Sequence, residues 1–235
     1  MKILALDTSA KSASAALVED GTIKGENFIN TMLTHSETLM PMTDYLLKNT
    51  KTALNEIDCF AVTCGPGSFT GLRIGIAAVK GMAFALQKPC VAVSALASMA
   101  YNISGENTVV CAVMDARRSQ VYNALFDVSE KEPVRLCEDR ALQIDELTEE
   151  LKNIDKKIVL VGDGAKLCFD KMSDKLNNIT LANENVRYQR SSSVGMAAEK
   201  LYANGQVLTP SQLMPKYLRL PQAQRELIAK QSLKK

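Results

Sequence analysis

Three short stretches of this chain combine carboxylates, hydroxyls and glycines at spacings that can handle phosphate. Residues 65–71 read Gly-Pro-Gly-Ser-Phe-Thr-Gly between two apolar runs. A helix that starts in such a loop offers free N–H groups to an anion. The stretch is not a Walker A loop, because no Gly-Lys-Ser/Thr follows, and it is not the dinucleotide fingerprint. That fingerprint needs glycine where Thr70 stands, and Gly71 falls one place late. A tight strand-to-helix turn, with glycines supplying positive φ, accounts for the same residues. The second stretch is Asp7-Thr8-Ser9 and the third is Asp115-Ala116-Arg117-Arg118. An acidic residue at a hairpin turn can orient a metal–phosphate, or it can close an Asx turn on its own backbone. Both readings stay open for Asp7 and Asp115. At the third stretch, Ala116, Arg117 and Arg118 put side chains where a phosphate turn wants glycines, which weighs against nucleotide hydrolysis. Arginines there can meet an anion or a partner carboxylate, or stand as solvated turn charges.

Other chemistries lack parts. The chain has one histidine, His35, so sites needing several imidazoles are excluded. Ser36 and Glu37 beside it cannot converge on it as a triad, and helix capping or interface packing explains His35 better. The six cysteines form no C-x-x-C pair and sit mostly in apolar runs, which fits reduced, structural thiols in a cytoplasmic protein. No signal peptide or membrane span is read, since Asp7 interrupts the first apolar stretch. In 235 residues the formal charge is +2, aromatics make up 5% and tryptophan is absent, unlike a dedicated nucleic-acid domain. The last twenty residues are basic, with Glu226 the one acid, and read as a solvated tail.

The elements that must position these stretches follow from hydrophobic period. Residues 2–6, 12–18 and 22–29 read as strands, 59–64 as a buried strand and 89–94 as another. Residues 36–48 carry Leu39, Met42, Leu46 and Leu47 on one helical face. Thr34 and Glu37 have capping-box spacing, and Pro41 predicts a kink or a later start. A helix over about 72–86 spaces Ala77, Gly81 and Ala85 by four, a stripe of small residues that invites close packing; a short helix is read near 96–101. The pattern then begins again. Residues 109–114 are apolar, 115–119 turn, 121–128 alternate, and 158–161 end in Gly162-Asp163-Gly164 as 59–64 end in Gly65-Pro66-Gly67. This repeat predicts a duplicated α/β fold of two subdomains, 1–105 and 106–235, each a mixed sheet flanked by helices, with the last helix packing back on the first subdomain.

The chain resembles the bacterial tRNA threonylcarbamoyladenosine biosynthesis family TsaB, also called YeaZ. The resemblance rests on ILALDTSAKSASAAL (3–17), HSETLMP (35–41), AVTCGPGSFTGLRIGIAAVKGMAFAL (61–86), VMDARRSQVYNAL (113–125) and PKYLRLPQA (215–223). It implies the actin-like fold of sugar and acetate kinases, and a non-catalytic partner role beside the paralogous threonylcarbamoyltransferase TsaD. The ATPase TsaE, a second copy of the chain, and tRNA reached through the complex are the further partners implied. In the catalytic paralogue an H-x-x-x-H helix holds a metal; Ala95 and Met99 stand in those places here, and neither binds a divalent ion. No metal or cofactor is therefore expected, weak nucleotide binding at the TsaB–TsaD interface aside. Asp7, Thr8, Ser9, Asp115, Arg117, Gly162 and Gly164 become vestigial phosphate turns. The partner-binding helices of the family correspond to residues 36–48 and 72–86, with Leu39, Met42, Leu46, Gly75, Ala77, Gly81 and Ala85 as packing surface. An active ATPase or kinase using Asp7, Asp115 and Gly162-Asp163-Gly164 is the rival reading, and a peptidase a weaker one.

Overall fold

The structure is a computed structural model that describes residues 1–31 and 33–219. Most of the basic tail, from residue 220, the expected last helix and the end of the PKYLRLPQA segment lie outside the described residues.

The first sheet is built from β1 (Lys2–Asp7), β2 (Ala13–Glu19), β3 (Thr22–Ile29), β4 (Cys59–Gly65) and β5 (Cys90–Ser94), in the order β3-β2-β1-β4-β5. β1 runs antiparallel to β2 and parallel to β4, so the hairpin turn after Asp7 and the glycine loop after β4 emerge at one end of the sheet. Helices α1 (His35–Asn49) and α2 (Phe69–Leu86) cover one face. The short α3 (Ala95–Ala100) follows β5 directly.

The second sheet repeats the plan. β6 (Thr108–Asp115), β7 (Gln120–Asp127), β8 (Val134–Arg135), β9 (Arg140–Gln143), β10 (Lys157–Val161) and β11 (Ile179–Leu181) order as β11-β10-β6-β7-β8, with β9 also on β7. β6 pairs antiparallel with β7 and parallel with β10, as β1 does with β2 and β4. Helices α4 (Ile144–Leu151) and α5 (Ala165–Met172) cover its outer face; α6 (Glu184–Arg187) and α7 (Ser191–Ala203) complete the described helices.

The central strands are apolar on both sides because both faces are covered. In the first sheet Leu4, Leu6, Phe60 and Val62 pack under α1 and α2, while Ile3, Ala5, Ala61 and Val93 face Val194, Ala197 and Ala198 of α7. In the second, Val109, Cys111 and Leu160 pack with Leu147 of α4 and Cys168 of α5, while Val110, Ala112 and Val161 face Leu96 and Met99 of α3. The lobes thus exchange helices: α3 comes from the first half of the chain and α7 from the second. Glu26 of β3 holds the start of α7, accepting from the Ser192 N–H and hydroxyl at 2.9 Å and from Arg190 at 2.7 Å. A carboxylate at that position complements the helix dipole.

Two local expectations change. The capping box of α1 does not form: the Thr34 side chain makes no cap bond, and the Glu37 N–H donates to the Thr34 carbonyl instead. Nor does Pro41 delay the helix, which runs through it from His35. Pro41 is exposed, so its ring faces solvent.

Candidate functional site

The two aspartate turns share one local design. At the end of β1, Asp7 is 1% exposed, and its Oδ1 accepts from the Ser9 N–H and the Ser9 hydroxyl, both at 2.8 Å. At the end of β6, Asp115 Oδ1 accepts from the Arg117 N–H at 2.7 Å. Both carboxylates therefore close Asx turns. Beyond that the lobes differ. Thr8 and Ser9 are buried, whereas Arg117, Arg118 and Ser119 are exposed.

The glycine loop is filled by the chain's own backbone. A Cβ on Gly67 would lie 2.3 Å from the Ser9 carbonyl oxygen, one on Gly71 2.1 Å from that of Thr8, and one on Gly65 2.2 Å from that of Lys216. The Ser68 N–H donates to the Ser9 carbonyl at 2.7 Å, and the Thr8 hydroxyl to the Gly71 carbonyl at 2.7 Å. Ser68 Oγ caps α2 by accepting from the Gly71 N–H at 3.2 Å. The second lobe does the same with Gly162, where a Cβ would meet the Val113 carbonyl at 2.0 Å, and with Gly164 against the Asp115 N–H at 3.0 Å. These glycines permit backbone to touch backbone; residues 65–71 form a tight turn as read, but only Gly65 has positive φ, and Gly67 and Gly71 serve close approach instead.

Between the turns lies a small acidic pair. Asp163, between the two glycines, accepts from Gln189 Nε2 at 3.2 Å. Burial pushes its carboxyl up, and the nearby Asp115 adds to the shift. Burial likewise pushes Asp7 up to about 6; the Ser9 bonds oppose this and the negative field of Asp163 adds to it. Asp7 Oδ2, Thr63 Oγ1 and Gln189 Oε1 are buried without hydrogen-bond partners. Among the described residues no three His, Cys, Asp or Glu side chains gather as a metal site. Ala95 and Met99 are core residues of α3, fully buried. His35 Nε2 lies 2.8 Å from the Ala10 carbonyl, so the lone imidazole ties α1 to the first hairpin. Cys59, Cys64, Cys90, Cys111 and Cys168 are buried and free, and burial raises their thiols, Cys59 and Cys168 to about 12. Such thiols are inert.

The face of α1 and α2 needs correcting. Leu39 and Leu46 belong to the core beneath α1, at 1% and 3% exposure, and cannot meet a partner. Gly75 is also internal, since a Cβ there would lie 2.5 Å from Thr8 Oγ1. Met42 is half-buried. Ala77, Gly81 and Ala85 are exposed, and no heavy atom lies within 4 Å of a Cβ built on Gly81. Three residues missed in the sequence stand out beside them: Met40 and Tyr45 on α1, and Phe84 on α2, at 46%, 63% and 75% exposure. Their signal was present, because α2 carries just Arg73 and Lys80 as charges over eighteen residues. By length and composition α2 is the one described helix that could span a bilayer, yet its inner face is buried on β4.

Also missed was a strap of residues 206–219. Leu208 bridges Cys90 at the edge of β5, Leu213 is buried, and the Lys216 N–H donates to the Cys64 carbonyl at 2.7 Å. Tyr217 stacks on Phe69 with ring centroids 4.5 Å apart, and Arg219 donates to the Ala116 carbonyl at 2.6 Å. The strap thus passes from the first sheet over the glycine loop to the second aspartate turn.

A protein-family model described as TsaD, tRNA N6-adenosine threonylcarbamoyltransferase, matches residues 30–227. The tRNA threonylcarbamoyladenosine biosynthesis protein TsaB of Escherichia coli is 31% identical over 98% of this chain and 100% of its own length. The chain belongs to the TsaB family. A solved structure of YeaZ from Pseudomonas aeruginosa superposes with a TM-score of 0.78 at 29% identity, covering 92% of this chain and 99% of that one. A more distant structure, the activator of 2-hydroxyisocaproyl-CoA dehydratase from Clostridium difficile, shares the fold alone, with a TM-score of 0.54 at 10% identity over 88% of this chain and 97% of that one. TsaB-family membership and the repeated sheet order together give the duplicated actin-like fold.

Two predictions follow from the packing in this TsaB-family chain. Gly67→Ala should lower stability by about 2 kcal/mol, because the methyl must displace the Ser9 carbonyl, whereas Gly81→Ala should raise it by up to about 1 kcal/mol through helix propensity alone. Urea unfolding measures both. For Asp7 the folded pKa lies above the unfolded value of 3.8, so the folded state binds its proton more tightly. Stability should therefore fall as pH rises from about 4 to about 6 and then level off. Asp7→Asn should flatten that slope, leaving the share that the raised Asp163 contributes, and at pH 7.5 raise stability by on the order of 2–3 kcal/mol. Melting curves across this pH range check it; a destabilised Asp7→Asn at neutral pH would contradict the account.

Proposed function

We propose that the chain is a non-catalytic subunit that docks on a TsaD-type threonylcarbamoyltransferase and holds it in its active form on the way to threonylcarbamoyladenosine in tRNA. The observation that carries this reading is the outer face of α1 and α2, where Met40, Tyr45, Ala77, Gly81, Phe84 and Ala85 stand open to solvent on the side of the first sheet opposite α7. Small residues on α2 let a partner helix approach closely, and the aromatic side chains at its edges supply anchors of the kind that dominate interface energy. The same face suits a second copy of the chain, so homodimer and heterodimer compete for it. TsaE joins through the complex, and tRNA reaches the active centre on TsaD.

Chemistry by the chain itself is disfavoured by the filled glycine turns. Carbonyls of Thr8, Ser9, Val113 and Lys216 occupy the space against the glycines that a phosphate would need. The chain is therefore read as carrying no nucleotide or metal of its own, with weak nucleotide binding confined to the interface with TsaD. Five buried thiols and a tethered His35 weigh against the peptidase reading.

Gly81→Trp and Phe84→Glu test the docking face without touching the core. Calorimetric titration of TsaD should show affinity reduced by about tenfold or more in each variant, with the thermal unfolding of the isolated chain not lowered. Wild-type affinity in both would move the interface elsewhere. Gly75 is unsuited to this test, since a bulky side chain there would drive into Thr8 and disturb the fold.

A further inference from the structure

The second aspartate turn holds a backbone conformation that its residues do not favour. Arg117, Arg118 and Ser119 have φ of 67, 57 and 56°, three consecutive left-handed residues, none of them glycine. Left-handed backbone disfavours side chains that carry a Cβ, and glycine would relieve it. Packing does not demand arginine here, because both side chains are exposed. Among the described residues neither forms an ion pair. Two more cations clamp the turn through neutral partners: Lys171 of α5 donates to Ser119 Oγ at 3.1 Å, and Arg219 of the strap to the Ala116 carbonyl. Neither pairs with a carboxylate among the described residues. The one acid of the turn, Asp115, is engaged by the Arg117 N–H. Four cations from three elements thus share one surface, and the turn shows no apolar side chain to solvent, since Ala116 is buried.

We propose that this surface binds the phosphodiester backbone of RNA, so that the subunit contacts tRNA directly. A protein-docking patch centres on apolar anchors within a polar rim, which this turn lacks. Guanidinium forks match phosphate geometry, and phosphate contacts position a nucleic acid without reading its sequence. Strain retained at an exposed arginine pair is the mark of residues held for binding rather than folding. The first-lobe turn is buried except for one cation, Lys11, and brings no arginine to the surface. The inference rests on the tRNA pathway of the proposed function but not on the α1–α2 docking face.

The test is fluorescence anisotropy with an unmodified tRNA transcript, using the full chain alone and bound to TsaD, across a series of salt concentrations. Variants are R117G/R118G, R117K/R118K and, as control, Lys166→Ala, whose ammonium pairs with Asp170 on the same helix as Lys171. R117G/R118G should keep or raise the melting temperature, weaken tRNA binding by about tenfold, and reduce the salt slope of log K by about 2. R117K/R118K should bind more weakly than wild type but retain the slope, and Lys166→Ala should match wild type. Unchanged tRNA affinity and slope in R117G/R118G would overturn the proposal, as would a loss confined to TsaD affinity, which would make the turn a protein contact. Loss of TsaD docking in Gly81→Trp with tRNA binding intact would leave this inference standing. Failure of TsaD docking by the wild-type chain would count against the proposed function alone.

Discussion

Backbone packed on backbone is the constraint from which the rest of this structure follows. Ser9 and Thr8 carbonyls lie against Gly67 and Gly71, and Val113 lies against Gly162, at separations no Cβ could tolerate. Hydrogen bonds from the Ser68 N–H and the Thr8 hydroxyl fasten the first of these contacts. Each lobe is thereby locked at the end of its sheet where the hairpin and the strand-to-helix turn converge. In an open fold of this kind the same end holds a ligand crevice; here the chain's own carbonyls lie against the glycines at that end.

In the proposed reading, function lies on the outer surfaces. The two lobes interlock through α3, α7 and the strap, so the molecule presents two rigid surfaces of opposite character. One is apolar and helical, on α1 and α2. The other is cationic, at the Asp115 turn. Asp7 and Gln189 each keep a buried oxygen without a hydrogen-bond partner, and burial pushes up the carboxyls of both Asp7 and Asp163, at neutral pH a local source of instability.

Much of the fold was legible because strands buried on both faces write continuous apolar runs, and because the order of hairpin, strand and glycine turn appears twice. The helix faces were not equally legible. Hydrophobic period places Leu39 and Leu46 on one stripe but does not say whether core or partner covers it; the core does. The small stripe Ala77, Gly81 and Ala85 was read as packing surface without a side assigned to each residue, and all three stand exposed. Gly75, two residues before Ala77 and on the opposite side of α2, faces Thr8 because α2 must close on the first hairpin, a tertiary requirement with no local signature. The strap escaped notice because its binding is carried by single residues, Leu213, Tyr217 and Arg219, without period. The left-handed arginines escaped for a related reason: sequence marks such positions by glycine or asparagine, and here there is neither.

The central claim is that this chain enables a transferase without doing chemistry. The direct measurement is threonylcarbamoyl transfer to unmodified tRNA, with the adenylate donor supplied, by TsaD and TsaE from the same organism. It is run with this chain, without it, and with this chain alone. The account predicts transfer when the chain joins TsaD and none from the chain by itself. Transfer by the chain alone, or full transfer in its absence, would contradict it.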